Sequence, residues 1–125
     1  MLKLILFIGA GGFLGSVSRF LVSRFFQQLF LSSFPYGTFI VNVAGCLLVG
    51  ILFGVSAKSG WISPEWRMFL VVGFLGGFTT FSTFSMENIA MLRDGDFFHF
   101  FLYIGSTLIL GLAATLFGIL MTKYI

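Results

Sequence analysis

The stretch GGFTTFSTF, Gly76 to Phe84, lies in the middle of an apolar run, after MFLVVGFL and before MENIAML. Two glycines weaken a helix, and hydroxyls follow at Thr79, Thr80, Ser82, Thr83 and Ser85. Non-helical backbone at membrane depth must be buried in protein or line a cavity. The stretch therefore predicts a membrane helix broken near Gly76 and Thr79. Freed carbonyls at such a break can coordinate a cation, and the hydroxyls offer both donors and acceptors. Phe81 and Phe84 are three apart and share a helix face. A phenyl edge carries the positive end of the ring quadrupole. Two rings presented edge-on could hold an anion without trapping it as a fixed cation would. Periodicity alone does not choose the ion.

The composition agrees with a membrane setting. Of 125 residues, 58% are hydrophobic and only 9% charged, against about 25% charged in a soluble domain. Four apolar segments can be drawn, at 4–26, 36–56, 68–92 and 97–122, each near the roughly 20 residues a spanning helix needs. The connections are short, so the expected architecture is one all-α, four-span unit over residues 1–125. Pro64 suits a helix first turn, and Asp94-Gly95 is a turn signal. The N-terminal apolar run is too long for a signal-peptide core and lacks a clear cleavage site. Glycines four apart recur, as at Gly11 and Gly15, Gly50 and Gly54, and Gly73 and Gly77. Such pairs let helices approach closely in lipid, and helix packing is the reading adopted for most of them.

The isoelectric point near 9.4 does not point to nucleic acid, because the seven Lys and Arg are scattered singly. With four spans, both termini and the middle loop share one side. That side carries Lys3, Lys58, Arg67 and Lys123, against Arg24 and Arg93 on the other, plus Arg19 if it reaches the surface. The bias is weak under the positive-inside rule. It fits insertion in both orientations as well as a fixed orientation that the count does not resolve.

Few residues could carry chemistry. A lone Cys46 excludes an intrachain disulfide, and no metal-ligand spacing, nucleophile–base pair or phosphate loop is present. The chain reads as not an enzyme. Glu65, Asp94 and Asp96 read as solvated charges. Glu87, near the end of the third span, could line a watery vestibule or reach the interface. His99 has no evident partner. Arg19, in GGFLGSVSRF, should snorkel, pair or face water, and could attract an anion or serve as an anchor. Asn42, in GTFIVNVAGCLLVG, is either interhelical glue or a pore-lining donor.

Three stretches then carry a resemblance: GGFLGSVSR at 11–19, GTFIVNVAGCLLVG at 37–50 and GFLGGFTTFSTFS at 73–85. In this order, and with this length and span count, the sequence resembles the Fluc family of small bacterial fluoride channels. The third stretch is the most specific. The resemblance implies a dual-topology homodimer of antiparallel chains in the bacterial inner membrane, with two narrow fluoride pathways lined by both subunits. It implies pore roles for Asn42, Phe81 and Phe84, with Thr80, Ser82 and Thr83 beside them. Tyr103 fits the family's polar track and Thr107 takes its next position, whereas Gly111 offers no hydroxyl one turn on. Arg19 is a vestibule candidate. The family's central, structural sodium ion implies the backbone carbonyls of Gly76 and Thr79 as ligands.

Two other classes were weighed. A small multidrug transporter is also a short, four-span, dual-topology protein, but it needs an acidic residue in its first span, and this one has none. A non-transporting membrane assembly subunit would leave the hydroxyl and phenylalanine cluster without a reason.

Overall fold

The computed structural model of the chain describes residues 1–58 and 60–125. Four helical spans long and apolar enough to cross a membrane run over Leu2–Leu29, Tyr36–Ser56, Pro64–Arg93 and Phe97–Tyr124. The first is α1 (Leu2–Leu29) and the second α2 (Tyr36–Ser56). The third is composite. It starts as α3 (Pro64–Arg67), winds as a π-helix over Met68–Leu75, and returns to α-geometry in α4 (Gly76–Phe78). It then breaks and resumes as α5 (Phe81–Arg93). The fourth is α6 (Phe97–Met121), closed by a 3-10 turn at Thr122–Tyr124.

Local chemistry sets the ends. Ser63 accepts from the Trp66 N–H at 3.3 Å, with Pro64 at the first helical position, where a missing N–H costs nothing. Asp96 caps α6 by accepting from the His99 N–H at 3.3 Å. Between α5 and α6, Gly95 takes a φ of 74° that other residues avoid.

Two helix pairs dominate the packing: α1 lies along the π-helix, and α2 along α6. Lipid supplies no hydrophobic drive between helices, so close backbone approach must hold them. The glycines provide it. A Cβ at Gly15 would collide with the Phe74 backbone, and one at Gly50 with the Thr115 carbonyl. Thr115 also donates across that pair, from Oγ1 to the Cys46 carbonyl at 3.0 Å. The interior is small and lies toward one end, where Phe34, Met91 and Tyr103 are buried together.

Lys3 and Glu65 approach to 3.8 Å, and Lys58 donates to the Ile125 carbonyl at 3.1 Å. The middle loop therefore sits at the same end as both termini, as an even span count requires.

The break differs from expectation in its cause. Gly76 and Gly77 are helical, and the extended residues are Thr79 (φ −89°, ψ 157°) and Thr80 (φ −149°, ψ 119°). Gly77 has a packing role instead, since a Cβ there would press on Gly12 and Ser16 of α1. The hydroxyls stop and restart the helix. Thr79 N and Oγ1 both donate to the Leu75 carbonyl, at 3.0 and 2.9 Å. Thr80 Oγ1 accepts from the Thr83 N–H at 3.2 Å and so caps α5.

Candidate functional site

Breaking a helix at Thr79 and Thr80 strands backbone groups that a neighbour must satisfy. Asn42 of α2 does this for the buried Thr80. Its Oδ1 accepts from the Thr80 N–H at 2.8 Å, and its Nδ2 donates to the Thr80 carbonyl at 3.0 Å. Gly45, one turn on, leaves room for the Thr79 methyl, which a Cβ would strike. Because Thr80 N goes to Asn42 and Thr83 N to a side chain, the Gly76 and Thr79 carbonyls accept no hydrogen bond among the described residues.

A cleft of about 500 Å³ opens beside the break. Asn42, Gly76, Thr79, Thr80, Phe81, Phe84 and Thr107 all line it. Phe81 is 70% exposed, whereas Phe84 is half-buried. Their rings lie 5.8 Å apart and tilted by 42°. The Thr107 hydroxyl is buried without a partner among the described residues. Ser82 and Thr83 are exposed on the first turn of α5 and lie outside the cleft lining. Arg19 sits half-buried on α1, away from the cleft lining and without an ion pair among the described residues.

From the cleft a row of rings leads to the second site. Phe84 meets Tyr103 at 4.9 Å, and Tyr103 meets Phe34 edge-on at 5.3 Å. Tyr103 is fully buried, and its hydroxyl donates to Glu87 Oε1 at 2.9 Å. Thr38 Oγ1 donates to Glu87 Oε2 at 3.0 Å. Glu87 in turn lines a cavity of about 320 Å³ shared with Gln27, Ser33, Asp94 and Asp96. Glu87 thus lines a polar cavity near the end of the third span.

Two expectations are corrected here. His99 does have a partner, for its Nδ1 lies 2.8 Å from Asp96 Oδ2. Asp96 is accordingly no free solvated charge. It caps α6, and the hydrogen bond from the His99 ring holds its carboxyl below the usual aspartate range. Sequence reading also missed Gln27, Thr38 and Asn88. Asn88 is buried and donates to the Phe84 carbonyl at 2.8 Å, one turn back on α5. The signal for Asn88 was its four-residue spacing from Phe84. Thr38 had the signal of a small hydroxyl residue beside Gly37 in an otherwise apolar run, but its partner stands 49 residues away.

The sequence pattern described by the family CrcB-like protein, Camphor Resistance (CrcB) matches residues 6–119. The chain belongs to that family. It is 45% identical to the fluoride-specific ion channel FluC of Azobacteroides pseudotrichonymphae, covering 99% of both chains. It is 44% identical to that of Flavobacterium psychrophilum, over 98% of both. It is 46% identical to that of Campylobacter lari, over 98% of this chain and all of the relative. With four membrane-length helices, the CrcB-family chain is a multi-pass protein of the bacterial inner membrane. Its relatives are ion channels, not enzymes.

Proposed function

We propose that the chain is a fluoride channel subunit that lets cytoplasmic fluoride leave by passive conduction. The observation that carries this reading is the break at Thr79 and Thr80, beside which a membrane-depth cleft gathers phenyl rings and a free hydroxyl. Fluoride is a small anion and a strong hydrogen-bond acceptor. The unpartnered Thr107 hydroxyl that lines the cleft can donate to it. The Phe81 and Phe84 ring edges add positive potential without a fixed charge. Asn42 keeps the break open and has a second amide hydrogen left for the pathway. The names of the relatives, over nearly the whole chain, support fluoride as the ion.

A single chain leaves this cleft open along one side. The reading completes it with a second copy, antiparallel in the membrane, so that two pathways run between the subunits. The exposed Phe81, Leu108 and Leu112 at the cleft are then covered, and the weak Lys and Arg bias suits both orientations. A structural sodium ion fits the twofold axis of such a dimer. Sodium takes hard oxygen ligands, and the Gly76 and Thr79 carbonyls have no helical donor. Two chains would offer four such oxygens. When bound, the ion would tie the two breaks together.

Purified protein in liposomes tests the reading. It should release fluoride rapidly and chloride poorly. Equal fluxes of the two anions would refute it.

A further inference from the structure

Resting on the channel reading, we infer that Gln27 is a positioning residue for the mouth at Glu87, orienting both hydroxyls that donate to that carboxylate. Gln27 lies near the end of α1, and its carboxamide bonds both the loop that follows and the first turn of α2. Nε2 donates to the Ser32 and Phe34 carbonyls, both at 3.3 Å. Oε1 accepts from the Gly37 N–H at 3.1 Å. That N–H is one of the four that a helix start leaves without an internal partner. Pro35, the residue before α2, has no side-chain oxygen to cap it. A residue ten positions earlier, on another helix, supplies the cap.

Each half of this clasp leads to one donor on Glu87. The Gly37 half fixes the first turn of α2, where the next residue is Thr38, whose hydroxyl reaches Glu87 at 3.0 Å. Gly37 is also pressed on the Ser23 backbone of α1, so this turn has little freedom. The Phe34 half holds a buried ring edge-on against Tyr103, whose hydroxyl reaches Glu87 at 2.9 Å. Ser32 Oγ adds a bond from the Phe34 N–H at 3.2 Å, so the loop is tied from both sides. Gln27 does not touch Glu87 in this network. It lines the same cavity and acts through Thr38 and Tyr103.

Gln27→Met keeps length and apolar bulk and removes all three hydrogen bonds. Two readouts test the inference. The first is the tyrosine ring doublet in ultraviolet resonance Raman, which reports whether the phenol donates a hydrogen bond. Subtracting a Tyr103→Phe spectrum isolates Tyr103 from Tyr36 and Tyr124. In Gln27→Met the Tyr103 donor signature should weaken, and an unchanged signature overturns the inference. The second is a double-mutant cycle on fluoride efflux. Gln27→Met should lower efflux about tenfold. Gln27→Met combined with Thr38→Val should fall well short of the product of the two single losses. Fully multiplicative losses overturn the inference, because they assign Gln27 an effect independent of Thr38. Should Gln27→Met fail to fold, Gln27→Glu restores the acceptor for Gly37 alone. It should then keep the Thr38 coupling and lose the Tyr103 signature, and retention of both overturns the inference. Absence of fluoride efflux from the unmutated protein would refute the channel reading, while the Raman arm would still decide the role of Gln27.

Discussion

Asn42 serves both backbone groups of Thr80 across a gap of 38 residues: the amide oxygen takes the Thr80 N–H at 2.8 Å and the amide nitrogen donates to the Thr80 carbonyl at 3.0 Å. A side chain on one helix thus replaces the helical acceptor that the break takes from the Thr80 N–H, and gives the N-cap carbonyl a second donor. This explains how extended backbone persists inside a membrane span, where water cannot substitute.

Removing that amide should therefore be costly. Asn42→Ala leaves the buried Thr80 N–H without a partner, at about 1–3 kcal/mol, and takes one of two donors from the Thr80 carbonyl, which as the α5 N-cap still accepts within the helix. Unfolding of the detergent-solubilised protein should register the loss. Asn42→Asp keeps the acceptor for Thr80 N–H but cannot donate to its carbonyl, and it adds negative charge to the cleft. Its fluoride efflux should fall further than its stability does.

The glycines give a prediction with an internal control. Gly50→Ala would drive a Cβ into the Thr115 carbonyl, whereas Gly105, also helical, has nothing within 4 Å. Overpacking costs about 1–3 kcal/mol, so Gly50→Ala should destabilise by that amount. Gly105→Ala should stay within about 0.5 kcal/mol of the unmutated protein. Reversible unfolding in mixed micelles compares the two directly. Equal effects would remove close helix approach as the reason for Gly50.

Asp96 should make stability depend on acid. The His99 ring holds its carboxyl below the ordinary value of 3.8. A value depressed in the folded state contributes stability above the unfolded value and loses it as pH falls through the folded one. Asp96→Asn retains a capping oxygen but not the charge. The melting temperature of the unmutated protein should exceed that of Asp96→Asn near about pH 6, and the gap should close by about pH 2. A gap that persists in strong acid would exclude the ionised Asp96 carboxylate as its source.

The four spans and the broken third helix were legible because lipid leaves few alternatives: apolar length marks the spans, and hydroxyls in mid-run mark the break. The break was expected near Gly76 and Thr79, and it falls at Thr79 but not at the glycines. Helix-weakening residues were credited with a stop that Thr79 and Thr80 make through their own hydroxyls and through Asn42. The cleft residues Asn42, Phe81 and Phe84 were visible as polar or aromatic oddities in their runs, whereas Thr107 came only from the family resemblance. The mouth at Glu87 was only half visible, because Gln27 and Thr38 look ordinary until the fold brings Thr38 to a residue 49 positions away. His99 and Asp96 are three apart at a helix start, a spacing that does bring side chains together. That signal was present in the sequence and was passed over.

The most direct test concerns the rings. Phe81 is largely exposed in the single chain, and Phe84 packs on Tyr103. Replacing either by Ile removes the quadrupole and keeps apolar bulk, a swap that usually costs under about 1.5 kcal/mol in a core. Fluoride efflux and dimer recovery are to be measured on the same preparations of Phe81→Ile and Phe84→Ile. Conduction past the ring edges predicts intact dimers with sharply reduced efflux in both variants. Intact dimers with unreduced efflux in both would contradict it.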